Sequence, residues 1–338
     1  MVLPKPDPKV HIFDPDRAVD TTLEFVHDRM GNPTIGINPM LPGLSDKLDP
    51  WVAGDLIGFL GYTSNGKSSM ASYVVNQHGN RLAAYQKEHP DYNHVIVYFT
   101  WEQPIEQQTA VDFSRASKIS VSDILHGKIT ENQFKNLQTV GEQRKTLPIW
   151  LVGHSIKEDR TKPMLNMDEV NQILMTIEGE RGMVVDLVVL DYLQRIRRMR
   201  PDIREGYMQI CDDARSMALK SPVLLLSQAK REILKSSWPA PTISDAQETS
   251  NYEQSCTHMF GFMMPKQGKY KDMTINGVLY NIESMDKKLL DHMLVMSVLK
   301  QTLGPATFDI VYELGFGGTY LREWGEPEPI EDRLGKLL

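Results

Sequence analysis

Residues Asp55 to Ser69 read DLIGFLGYTSNGKSS. Leu56, Ile57, Phe59 and Leu60 make a short apolar run of the kind that forms a buried strand. Gly61 to Ser68 then fits G-x-x-x-x-G-K-[ST]. In such a loop the glycines let backbone N–H groups close on phosphate oxygens, the lysine reaches the terminal phosphates and the serine ligates Mg²⁺. SSMASYVVNQHG continues as a helix, whose positive dipole end adds to the attraction for the same anion. The order strand, loop, helix distinguishes a nucleotide-phosphate loop from a Gly-rich surface turn with the same spacing. Gly61, Thr63, Ser64, Asn65, Gly66, Lys67, Ser68 and Ser69 are the candidate nucleotide contacts, with Ser68 also a metal ligand.

Outward from this stretch the apolar runs recur in a βα rhythm. Strands are predicted over His94–Thr100, Leu147–Val152, Val185–Asp191 and Val223–Ser227. Helices are predicted over Pro104–Lys118, Asp168–Glu178 (capped by its own Asp168) and Glu205–Lys220. Continuous Val/Ile/Leu runs between helices imply an α/β fold with a mostly parallel sheet covered on both faces. In the last third, Met259–Met264, His292–Lys300 and Thr307–Leu314 read as strands, with Gly304-Pro305 between the last two, a hairpin-like addition. Upstream, four prolines among residues 1–17 suit an extended arm. Ala18–Met30 places Val19, Leu23, Val26 and Met30 on one helical face, to be covered by its own domain or by a neighbouring subunit. Three segments are expected: an arm and linker-type helix (1–34), the main domain (35–322) and an acidic, fraying tail (323–338).

The bulk composition sets limits on function. At 338 residues, 41% hydrophobic and 24% charged, the composition is ordinary for a soluble globular protein; no window approaches the apolar length of a membrane span, and a secretory signal is not expected from the opening residues. The expectation is a cytoplasmic protein without membrane partners. Cys211 and Cys256 form no C-x-x-C pair, and the nine histidines are scattered, which argues against disulfide and zinc frameworks. A net charge of −7 excludes indiscriminate coating of nucleic acid and leaves room for a local basic patch.

Hydrolysis needs a water-orienting base, a metal partner and a γ-phosphate sensor besides the loop. Asp191 closes the VDLVVLD strand, where it can reach the metal held by Ser68; its plain alternative is a turn or capping Asp. Glu102 follows HVIVYFT, in the crevice at strand carboxyl ends where ligands of open α/β sheets bind, and suits a carboxylate that deprotonates water. The alternative there is an exposed loop Glu. Gln228, ending VLLLSQ, can hydrogen-bond the γ-phosphate.

The motifs GINPMLPGLSDKL, GYTSNGKSS, YFTWEQP, SVSDILHGKITENQFKNL, VVLDYLQRI, PVLLLSQAKRE, ISDAQETSNYEQSCTHM and LKQTLGPATF follow in order between about Gly36 and Phe316. In that order the chain resembles the RecA-like ATPase domain of DnaB-type replicative helicases. The resemblance implies a RecA-like P-loop NTPase using ATP and Mg²⁺ and a homo-oligomeric, typically hexameric ring on single-stranded DNA, with partners in a replication or mobile-element system. It makes Glu102 the catalytic glutamate, Asp191 the metal-side acid and Gln228 the sensor. With about 35 to 50 residues before the core, the family's separate N-terminal domain is not expected here, and the resemblance implies that the leading helix around Leu23 and Val26 corresponds to the linker helix that clasps an adjacent subunit.

Two departures stand out. Lys300-Gln301-Thr302 occupies the segment where the family has Lys-x-Arg, the arginine being a finger into the neighbour's site. Lys300 can supply charge in trans, though an ammonium does not reproduce a guanidinium fork. Asp245-Ala246-Gln247 puts Gln247 where the family has an arginine in a DNA-facing loop. Against these losses, RIRRMRPDIR carries Arg195, Arg197, Arg198, Arg200 and Arg204 after the metal-side strand, where the resemblance places a pore loop. These arginines, with Lys230 and Arg231, are candidates for gripping a phosphate backbone; the alternative is a solvated charge run paired with acids. Few aromatic residues are interleaved, so backbone tracking is expected over base stacking. The rival reading is a DnaB-like ATPase that does not translocate and acts as a nucleotide-gated scaffold.

Overall fold

The computed structural model describes residues 14–31, 36–44, 46–157, 164–231, 241–246, 251–267, 271–302 and 304–327. Gln247, most of the proline-containing arm and the tail from residue 328 lie outside them. The chain divides into two units, residues 1–37 and 38–338. In the first, helix α1 (Pro15–Gly31) carries Val19, Leu23, Val26 and Met30, exposed to between 46% and 83%.

The second unit is built on a nine-stranded sheet. In chain order its elements begin with β1 (Leu56–Gly61), α2 (Lys67–Glu88), β2 (His94–Thr100), α3 (Ile105–Ser117), α4 (Val121–Leu125) and α5 (Glu131–Lys145). They continue with β3 (Ile149–Gly153), α6 (Met167–Arg181), β4 (Val184–Asp191), α7 (Ile203–Ala218) and β5 (Val223–Gln228). The remainder comprises α8 (Asn251–Ser255), β6 (His258–Met263), β7 (Asp272–Ile275), β8 (Val278–Asn281), α9 (Lys287–His292), β9 (Met293–Lys300), β10 (Phe308–Leu314) and β11 (Leu321–Gly325). The sheet order is β11-β10-β9-β6-β1-β5-β4-β2-β3, parallel from β6 to β3 and antiparallel from β6 outward to β11. Among the described residues no helix is long and apolar enough to cross a membrane.

Alternation along the strands divides the core between two faces. Leu56, Leu60, Val95, Val97 and Phe99 pack with Val170, Leu174 and Ile177 of α6 and with Ile210 and Ala214 of α7. The intervening Ile96 faces α2, whose Gly79 lies against Ile149 and Ile96 so closely that a Cβ there would meet Ile149 Cδ1 at 2.6 Å. Farther along that face, Phe59 meets Trp51 edge-on at 6.2 Å and Phe262 at 4.8 Å. The parallel sheet with helices on both faces is therefore the expected α/β architecture, and the β9–β10 pair is the expected antiparallel addition.

The structure departs from expectation in local detail. The cap of α6 is Asn166, not Asp168: its side chain accepts the Glu169 N–H while Glu169 accepts the Asn166 N–H, a reciprocal capping box. Helices α4 and α5, the β7–β8 hairpin and edge strand β11 are additional elements, and β11 crosses the boundary expected at residues 322 and 323.

Candidate active site

Four neighbouring strands deliver the site from their carboxyl ends. Register pairs Gly61 of β1 with Gln228 of β5, and Asp191 of β4 with Thr100 of β2, two residues before Glu102. Lys67, Ser68, Asp191, Glu102 and Gln228, with Thr63, Ser64, Asn65, Gly66 and Ser69, line one cavity of about 340 Å³.

The loop's shape follows from a few residues. Gly66 caps α2 in the left-handed region (φ 80°), which favours glycine, and a Cβ there would press on Leu294 and Leu314 methyls at 3.1 and 3.2 Å. The first-turn N–H groups of α2 have no acceptor inside the helix and remain a ready anion site. Asn65 is wholly buried: its Oδ1 accepts the Met264 N–H at 2.6 Å, and its Nδ2 donates to Gln267 Oε1 at 3.2 Å. Its side chain anchors the loop to the segment after β6. Opposite, Arg115 donates to Gly318 O at 3.0 Å and to Ser72 Oγ at 3.2 Å, fastening the turn after β10 onto α2. Gly318 there (φ 80°) touches Ser69 O so closely that no Cβ fits.

Lys67 is buried and donates to Gly61 O at 2.7 Å and Tyr62 O at 3.0 Å. An ammonium has three donors, so one remains for a ligand oxygen. Burial pulls this ammonium down to about 8, against the opposing charges of Asp191 and Glu102. Asp191 is 4% exposed; Ser68 Oγ donates to its Oδ1 at 3.2 Å and Tyr98 OH to its Oδ2 at 2.8 Å. Burial raises its pKa from the ordinary value, and the bonds from Tyr98 and Ser68 and the Lys67 charge pull the other way. Among the described residues there is no cluster of three or more His, Cys, Asp or Glu suited to a metal. A hydroxyl beside one carboxylate fits Mg²⁺, which takes one or two protein ligands and completes its shell with phosphate and water. Glu102 is exposed at the cavity wall.

Other expected site residues lie elsewhere or are already engaged. Lys300 pairs with Met259 at the amino end of β6, so it sits at the opposite end of the sheet from its own cavity. Its ammonium donates to Cys256 O at 2.6 Å and Glu253 O at 3.1 Å. Arg195 Nε donates to Tyr192 OH at 3.2 Å, Arg197 pairs with Glu169 at 2.7 Å and Arg200 Nε donates to Gln209 Oε1 at 3.3 Å. Arg198 lies over the Tyr207 ring at 5.4 Å and packs against Gly206, so it is built into the start of α7. Lys230 Nζ donates to Ser244 O at 3.1 Å and stays exposed, as do Arg204 and Arg231. Tyr98, Tyr192, Gln194, Gln107, Gln108, His292 and Phe316 were not anticipated; all but Gln194 and Tyr98 line the cavity, and those two bond to residues that do.

A glycine loop between β1 and α2, an acid closing a strand two places away, and a mostly parallel sheet together define a RecA-like P-loop NTPase fold. Residues 36–306 match the DnaB-like helicase C terminal domain, and the chain belongs to that family. Two solved structures share the fold. One, an ATPase domain, is 16% identical with a TM-score of 0.70, over 92% of this chain and 99% of that one. The other, a DnaB-like replicative helicase described with its interactions with primase, is 16% identical with a TM-score of 0.71, over 91% of this chain and 68% of that one. Compared with curated proteins, the sequence has no significant match.

Proposed function

We propose that this chain is a Mg²⁺- and ATP-dependent DnaB-like helicase motor that assembles as a homo-oligomeric ring, a hexamer, on single-stranded DNA. The observation that carries the reading is the convergence of Lys67, Ser68, Asp191, Glu102 and Gln228 from four adjacent strand ends on one cavity. Lys67 and the first-turn N–H groups of α2 bind the phosphates. Ser68 and Asp191 would hold Mg²⁺, which when bound neutralises phosphate charge. Glu102 orients the attacking water and accepts its proton, and Gln228 senses the γ-phosphate.

Lys300 is at the wrong end of the sheet to serve its own cavity, which suits a contribution to a neighbour's site. The exposed apolar face of α1 suits a clasp on an adjacent subunit. Exposed Arg195, Arg204, Lys230 and Arg231 are the cations best able to track a DNA backbone. Gln247 completes that set as a neutral phosphate contact. Membership of the family supports partners in a replication system, and we extend the same reading to a mobile-element system.

The second reading, a nucleotide-gated scaffold that does not translocate, draws on the engaged cations. Arg197, Arg198 and Arg200 have partners within the chain, and Lys300 is tied to the end of α8. The two readings separate on ATP turnover with and without an oligonucleotide, together with displacement of a strand from a forked duplex. The motor requires DNA-stimulated turnover and displacement. Nucleotide binding and ring assembly with no displacement would establish the scaffold instead.

A further inference from the structure

Beyond Leu190 and Leu225, β4 and β5 no longer pair. Ala229 N–H donates to Gly61 O across β1, so by strand alternation Gln228 N–H faces the β4 side, where the ladder has ended. An N–H left there without an acceptor would be destabilising. Gln194 supplies the acceptor: its Oε1 takes the Gln228 N–H at 3.3 Å, and its Nε2 donates to Ser227 Oγ, a wholly buried hydroxyl, at 3.2 Å. Gln194 itself lies in the short 3₁₀ turn Leu193–Arg195 that leads from Asp191 into the arginine segment.

We propose that Gln194 is a positioning residue that joins the nucleotide cavity to the arginine segment. One amide fixes the 227–228 peptide, which aims the Gln228 side chain into the cavity, and the same residue's backbone lies in the Leu193–Arg195 turn that leads into the arginine segment. Displacement of Gln228 when a γ-phosphate is gained or lost is therefore passed to residues 193–204 through two hydrogen bonds. This rests on the hydrolytic reading of the cavity only in so far as nucleotide binds at Lys67.

The test compares full-length wild type with Gln194→Leu, which keeps the volume and removes both bonds, and Gln194→Glu. The glutamate still accepts from Gln228 N–H, and Ser227 can donate to it. Amide hydrogen exchange is measured with and without Mg²⁺ and a non-hydrolysable ATP analogue, and ATP turnover with and without a single-stranded oligonucleotide. In wild type the analogue is expected to slow exchange in both 64–69 and 193–204. In Gln194→Leu the protection of 64–69 and the analogue affinity persist, the response of 193–204 disappears, and the ratio of stimulated to basal turnover falls about tenfold. Gln194→Glu restores both. Should Gln194→Leu fail to fold, Ser227→Ala removes one of the two bonds and is expected to halve the loop response.

A loop response that survives in Gln194→Leu overturns the proposal, as does a wild type that binds the analogue without any change in 193–204. A wild type with the loop response but no effect of DNA on turnover sinks the motor and leaves the coupling standing. Failure to bind the analogue at all overturns both.

Discussion

Ser68 Oγ donates to Asp191 Oδ1 across 3.2 Å, joining the first turn of α2 to the last residue of a strand two places from β1 in the sheet. The carboxylate's other oxygen is held by Tyr98, so hydroxyl and acid are fixed relative to each other. Removing the phenol should disturb that order without touching the loop. Tyr98→Phe leaves a buried carboxylate oxygen short of a donor and is expected to cost about 1–3 kcal/mol in urea unfolding, with a higher Mg²⁺ concentration for half-maximal turnover. Unchanged values for both would deny Tyr98 its role.

Nucleotide binding should take up a proton near pH 8. The Lys67 ammonium is pulled down to about 8 by burial, and bound phosphate favours its charged form. Its pKa therefore rises on binding, and affinity should weaken as pH climbs above about 8. Calorimetry in buffers of different ionisation heat measures the uptake directly. Proton release, or none, would contradict this environment for Lys67.

Neutralising Arg204, Lys230 and Arg231 together should weaken single-strand binding and lower its salt slope by about 2 log units, at about 0.7 per phosphate contact. Arg198→Ala should instead act on stability, because that side chain packs on Tyr207 and Gly206. Salt titrations and thermal melts of the two variants distinguish these effects; a triple variant that binds as wild type would move the DNA site elsewhere.

Far from the cavity, Asp186 ties α2 to β2 by accepting from His78 at 2.5 Å and His94 at 3.1 Å. Although burial opposes it, these bonds hold its carboxyl well below the usual carboxylate range. A lowered folded-state pKa contributes stability that is complete above the unfolded value and is lost as pH falls through the folded one. Asp186→Asn should therefore destabilise the protein at neutral pH and flatten the loss of stability below about pH 4. Melting temperatures across that range check it, and parallel curves for the two proteins would refute it.

Most of the frame was legible because strands buried on both faces must be apolar throughout, and VDLVVLD or VLLLS have few other uses. The acids were legible from position, since Asp191 and Glu102 follow such runs directly. Helix α5 was missed because an exposed helix needs few apolar residues; only Leu137 and Val140 are buried, although Thr130 and Gln133 spell its capping box. The β7–β8 hairpin announces itself in Asn276-Gly277, both at positive φ, a signal left unread. Tyr98 and Gln194 could not have been assigned. Their partners depend on where β4 stops pairing and on which residue of β2 faces it, and neither is a property of one segment. The arginines likewise gain Glu169, Tyr207 and Gln209 as partners only through packing of α6 and α7.

The central claim is that these strand ends form a hydrolytic site, and Glu102→Gln probes it most directly. Nucleotide affinity and phosphate release are measured on one preparation of the variant. Affinity should stay near wild type while release falls by a factor of about 10² to 10⁴, the usual share of a general base. Release at the wild-type rate with nucleotide fully bound would contradict the account.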